Sequence, residues 1–200
     1  MINFSRLNSG ELTMYELTQT LKLTVDDLRA ATNESLDTIL SIIGDANDMQ
    51  VTFIPYDPEA NDPYAPPDQQ HIGWSLAHLV AHVTASSEEG ASVASILARG
   101  IPYVREPRLR YETDWQTLTT RAKVLQRLEE SRRIRLAYLD TFPDKPHFDV
   151  FQATSERFFE KFGKMNAPAR FLLSLHHEIG HHDQFREAAR QARQIQVAAN

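Results

Sequence analysis

The sequence predicts an all-α protein, a four-helix bundle with long connecting loops, and three observations carry that expectation. Four long segments place apolar residues at helical spacing, no stretch alternates apolar and polar residues as a half-buried strand would, and prolines gather between the periodic segments. The 200 residues are read as one domain spanning residues 1–200, a size able to bury a sizeable core.

The first periodic segment runs from about Leu12 to Ile43, with a break near Thr24. Thr24 and Asp27 resemble a capping box, and Leu28, Leu36, Ile39, Leu40 and Ile43 follow at helical spacing. The second, Gly73 to Arg99, sets Leu76, Leu79, Val80 and Val83 at i, i+3, i+4 and i+7. The third begins at Asp114, a good N-cap, and aligns Trp115, Leu118, Ala122, Leu125 and Leu128 on one stripe. The fourth starts at Asn166, carries Pro168 in its first turn and continues to about Val197. Such helices would be roughly 40–48 Å long at 1.5 Å rise per residue. Between them, residues 50–72 hold Pro55, Pro58, Pro63, Pro66 and Pro67, and Gly100 to Pro107 makes a shorter break. Residues 141–165 hold Pro143 and Pro146, with a short helix expected around Glu156 to Phe162.

Composition narrows the function. A formal charge of -6, from 27 acidic and 21 basic residues, leaves no basic footprint for nucleic acid or an anionic membrane surface. Cysteine is absent, which excludes disulfides, a thiolate nucleophile and a Cys-ligated metal. The N-terminal stretch lacks the apolar core of a signal peptide, and no 18 apolar residues run together. The expectation is a cytoplasmic protein with no membrane span.

The histidines are the informative feature. Six of the eight fall in two groups, His78 and His82 in WSLAHLVAHV, and His176, His177, His181 and His182 in LHHEIGHHDQF. Helical residues four apart lie about 6 Å along the axis and roughly 40° round it, so His177 and His181 project side by side. Gln184, Ala188 and Ala192 continue that line, while Asp183, Arg186, Arg190 and Arg193 take the opposite, water-seeking face. His177, His181 and Gln184 therefore occupy an expected inward seam, and His176 and His182, turned more than about 90° away, read as surface or boundary residues. On the second segment His82 flanks the apolar stripe and His78 sits further toward the polar side. A lone inward histidine is most often a satisfied core residue. An HxxxH pair plus a third imidazole from another helix can hold a divalent transition metal and leave coordination positions open. His71 and His147 stand alone in loops and read as loop surface.

Trp74-Ser75 followed by His82-Val83 resembles the "WS…aHl" opening of the second helix in the DinB/YfiT-like family of metalloenzymes. His177, His181 and Gln184 resemble that family's C-terminal "H..HH..Q" signature. The resemblance implies a four-helix bundle, frequently dimeric, whose metal-binding histidines fall on His82, His177 and His181 and hold nickel or zinc. It further implies thiol-cofactor-dependent transfer or isomerisation of a small molecule, with a low-molecular-weight thiol as a second cofactor and a homodimer as the assembly; a Lewis-acidic ion with open positions would serve hydrolysis equally well. One departure stands out. Members often carry consecutive histidines ending at the second ligand, whereas here Gly180 precedes His181 and His182 follows it.

Rival readings share the same residues. His177-Glu178-Ile179-Gly180-His181 also spells HExxH, in which a zinc peptidase uses both histidines as ligands and the glutamate as general base. Against it, Gln184 stands where a metzincin needs glycine, and the 19 residues after His181 leave little room for a downstream glutamate ligand. A di-iron bundle would need a second ExxH motif. A non-catalytic bundle, in which the metal is structural or the protein serves stress or interaction, predicts a closed site in place of an open one. Glu178 and Gln184 are the candidate proton-handling or ligand-orienting groups. Glu89, two turns from His82, could orient that ring, although a solvated glutamate fits the same spacing. The arginines from Arg127 to Arg135 read as a solvated face.

Overall fold

The computed structural model describes residues 2–63, 65–104 and 108–198, and side chains up to residue 194. Among the described residues every regular element is a helix. Two short N-terminal helices, α1 (Ser5–Asn8) and α2 (Met14–Leu21), precede α3 (Val25–Ile43), a single turn-and-a-half α4 (Asp48–Thr52) and the long α5 (Leu76–Ala98). Then come α6 (Arg121–Asp140), the short α7 (Glu156–Phe162), α8 (Ala167–Gly180) and α9 (His182–Ala198). No helix among the described residues is long and apolar enough to cross a membrane.

The break at Thr24 is where the sequence places it. Lys22 takes a left-handed conformation (φ 50°) that ends α2, and Thr24 then caps α3. The Asp27 N–H donates to Thr24 Oγ1 at 3.2 Å while the Asp27 carboxylate accepts the Thr24 N–H at 2.8 Å, a reciprocal capping box. Ser75 caps α5 by accepting the His78 N–H at 3.1 Å.

Two expected helices are shorter than periodicity suggests. Asp114 caps only a three-residue 3₁₀ turn, Trp115–Thr117, because its carboxylate accepts the Gln116 N–H two residues on. Leu118 then leaves helical space (ψ 61°), and α6 starts afresh behind Thr120. The fourth segment divides at Gly180. The His181 N–H reaches only three residues back, to the Glu178 carbonyl at 3.1 Å, before Phe185 resumes the four-residue step. Residues 105–107, part of the expected Gly100 to Pro107 break, lie outside the described residues.

α5 is the central element, buried along nearly its whole length and packed against both α6 and α8, while α3 packs against α6, α8 and α9. Leu36, Ile39, Leu79, Val83, Leu128 and Phe185 fill the largest core cluster. Burial of this kind contributes about 25 cal/mol per Å² of apolar surface removed from water. α5 and α8 approach closely at Gly90, where an added Cβ would lie 2.2 Å from Ser174 Oγ. That contact joins the helix bearing His82 to the helix bearing His177.

The arginines from Arg127 to Arg135 are only partly a solvated face: Arg133 is exposed, but two others turn inward. Arg127 and Arg135 are buried, with Ser131 between them on the inward stripe. Charged residues turn inward here because carboxylates meet them there: Glu88 pairs with Arg127, and Glu178 with Arg135.

Candidate metal centre

The C-terminal half of the site arises from the α8–α9 junction, and the remainder from the N-terminal half of α5. His177 Nε2 lies 3.3 Å from His82 Nε2 and 3.2 Å from His181 Nε2. None of the three ring pairs is stacked: His82 and His177 are tilted at 55°, and His181 meets His82 and His177 edge-on at 75° and 81°. Ligand atoms from all three lie within 4.8 Å of one another, a group that could hold a metal ion. Nitrogens bound about 2.0–2.1 Å from a tetrahedral ion stand about 3.3 Å apart, which matches the two separations measured from His177 Nε2.

The outer nitrogens test the fit. His181 Nδ1 lies 2.7 Å from Gln184 Oε1, and because that oxygen only accepts, the proton sits on Nδ1 and the Nε2 lone pair faces the cluster. His82 Nδ1 lies 3.7 Å from Glu112 Oε1, with an Arg110 nitrogen at 3.4 Å. His177 Nδ1 is buried without a hydrogen-bond partner. Burial pushes His177 down to about 3, with His181 and His82 adding to the effect, and burial also lowers His181. At neutral pH both are held in the uncharged form that ligates metals.

Arg110 and Glu112 come from the loop after α5, and sequence reasoning missed them. Arg110 donates to Glu112, to Ser86 Oγ and to the His82 carbonyl oxygen. Burial alone would raise Glu112, but hydrogen bonds with His82 and Arg110 bring it down to about 2. An Arg-x-Glu in an aperiodic loop carries no signal that would place it beside His82.

Trp74 walls the site. Its ring centroid is 4.6 Å from His82 and 5.9 Å from His181, nearly parallel to the latter at 22°. His78 is held apart from the three, stacked between Trp74 (4.5 Å) and Trp115 (4.9 Å). Burial takes it down to about 4. A cavity of about 170 Å³ opens against Trp74, His181 and Gln184, and Asp57, Glu59 and Asp62 also line it.

Several predicted residues sit elsewhere than expected. Gln184 is beside His181, as the helical line predicts, but Glu178 is turned away from the cluster. Its oxygens accept from Ser35 Oγ at 2.6 Å, Ser87 Oγ at 3.0 Å and Arg135 Nη1 at 3.0 and 3.2 Å. A carboxylate so occupied, with no exposed surface, is not placed as the general base that the HExxH reading requires. His182, expected at the surface, is buried with Nε2 3.2 Å from Ser35 Oγ. The physical reason is common to both. This stripe of α8 and α9 meets polar partners, Ser35, Ser87 and Arg135, inside the bundle, whereas His177 and His181 lie at the edge of the core. Glu89 does not orient His82. It is buried against Arg108, at 2.8 and 3.0 Å. His176 reaches Asn8 Oδ1 at 2.8 Å, outside the cluster.

Fold and site together define a helical-bundle protein whose three converging histidines form a group suited to a metal ion. The chain belongs to the DinB superfamily, whose family model matches residues 16–185. No curated protein and no solved structure matches the chain.

Proposed function

We propose that this chain is a divalent-metal-dependent enzyme of the DinB type, with the ion held by His82, His177 and His181. The observation that carries the reading is that His177 Nε2 stands 3.3 and 3.2 Å from the Nε2 atoms of His82 and His181, with ligand atoms of all three within 4.8 Å of one another. An all-imidazole donor set suits zinc or nickel. When bound, such an ion supplies Lewis acidity toward an oxygen or thiolate of the substrate. The chain's own residues do the rest: Gln184 fixes the His181 tautomer, Glu112 faces His82 Nδ1, and Trp74 shields the cluster from bulk water on one side. A cavity of about 170 Å³ favours a small-molecule substrate. The reaction classes that fit are hydrolysis and thiol-linked group transfer, with a low-molecular-weight thiol as second cofactor. A cytoplasmic homodimer completes the proposal, on the strength of the family resemblance.

The test is metal analysis of protein purified without an affinity tag, beside His82→Ala and His181→Ala. The expected result is one zinc or nickel per wild-type chain and its loss in both variants. Full retention in both would overturn the site. Turnover screens then begin with thiol-adduct transfer and simple ester or amide hydrolysis, each repeated after chelation.

A further inference from the structure

The carboxylate between the two C-terminal histidines of the cluster is tied to three other long helices. Glu178 lies on α8, one residue after His177 and three before His181. Its oxygens accept from Ser35 of α3, Ser87 of α5 and Arg135 of α6. Side chains on one helix turn together, so the angle at which Glu178 is held also sets how His177 is presented, and the His181 N–H bonds the Glu178 carbonyl at 3.1 Å, which ties the second ligand to the same turn. Ser87 stands on the same helix as His82, so the tie through it also fixes α8 relative to the third ligand. Next to His181, His182 reaches the same Ser35 hydroxyl at 3.2 Å, a second tether on the other side of the ligand. Gly90 and Ser174 set how closely α5 and α8 approach. Closeness alone does not set rotation about the helix axis; Phe171, Leu172 and Leu175 pack one face of α8 into the core, and Glu178 adds directional hydrogen bonds at the histidine end. Arg135, 1% exposed, has Nε and Nη2 without partners, and Glu178 is its one ion-pair partner among the described residues. Moving the carboxylate would strand a buried cation.

We infer that Glu178 is the positioning residue of the metal centre, setting the roll of α8 that aims His177 at His82 and carries His181, the residue that closes the helix, into place beside it. The inference rests on the three-histidine reading above, and it removes Glu178 from proton handling.

The test compares wild type, Glu178→Gln, and Leu97→Ala as a control for lost stability in a different core cluster. Glutamine keeps the shape and loses the charge that Arg135 holds. Three readouts are taken: zinc affinity by competition with a chromophoric chelator, the visible absorption of the cobalt-loaded protein, and imidazole nitrogen–proton NMR spectra of metal-free protein. Glu178→Gln should lose at least tenfold in zinc affinity, change the cobalt bands and move the His177 and His181 resonances. Leu97→Ala should leave all three at wild-type values. Wild-type affinity and imidazole spectra in Glu178→Gln, or equal losses in Leu97→Ala, would overturn the inference. If wild type itself takes up no zinc, the metal reading fails, and the metal-free spectra alone decide the role of Glu178. Should Glu178→Gln not fold, Glu178→Gln combined with Arg135→Gln leaves no buried charge unpaired and carries the same expectations.

Discussion

The Glu178 carboxylate lies 3.0 Å from Arg135 Nη1, and the two side chains are 0% and 1% exposed. A pair so enclosed contributes little over an apolar substitute, yet losing one member leaves a buried, uncompensated charge. Arg135→Met should therefore cost about 3–5 kcal/mol in urea unfolding. Adding Glu178→Leu to it should recover part of that loss while zinc affinity stays low. A stability change under about 1 kcal/mol in the single variant would show that water reaches the pair.

The outer nitrogens of the ligands give a second expectation. Gln184 fixes the His181 tautomer from 2.7 Å, so Gln184→Leu should weaken zinc binding about 10–100-fold with little effect on folding. Glu112→Gln should weaken it by about tenfold through His82. Glu89→Gln, which breaks the pair with Arg108, should leave affinity unchanged and lower stability only. Competition titrations on the three variants separate the two carboxylates.

Gly90 tests the packing that brings the ligand helices together. Alanine is the better helix former by about 1 kcal/mol. Its Cβ would nonetheless stand 2.2 Å from Ser174 Oγ and 2.5 Å from Ser174 Cβ. Forcing α5 and α8 apart should outweigh that gain, for a net loss of about 1–2 kcal/mol and a fall in Tm of roughly 2–8 °C. Gly90→Ala with Ser174→Gly, which clears the space, should restore most of it.

Stability of the metal-free protein should fall in mild acid. His177 and His78 are lowered to about 3 and about 4 from 6.5, so below pH 6.5 the unfolded chain binds protons that the folded chain refuses. Stability is then complete above pH 6.5 and drains away as pH falls toward those values. With solvent screening allowed for, each histidine should account for roughly 1 kcal/mol between pH 7 and pH 5. His78→Phe, which keeps an aromatic ring between Trp74 and Trp115, should flatten the dependence. Urea midpoints across the range check it.

Much of the fold was legible because the core faces of α3 and α5 follow helical period and the caps at Thr24 and Ser75 use side chains with a local task. The three-histidine cluster was legible for a similar reason, since an i, i+4 pair is held side by side by helix geometry and His82 flanks a clean apolar stripe. What failed was the rule that charge faces water. Glu178, Arg135 and His182 are buried against one another or against serines, and Arg127 against Glu88, and a sequence shows each partner without showing that they meet. Arg110 and Glu112 were invisible because a loop's path back to His82 has no period. The division at Gly180 was hidden in the periodicity, because one three-residue step leaves the i, i+4 neighbours side by side.

The measurement that bears most directly on the metal centre is anomalous diffraction from crystals of zinc-loaded protein, collected on both sides of the zinc edge. The expected result is one peak about 2.0–2.1 Å from Nε2 of His82, His177 and His181, with Gln184 still on His181 Nδ1. No peak among those three nitrogens, or a peak bound elsewhere in the bundle, would contradict it.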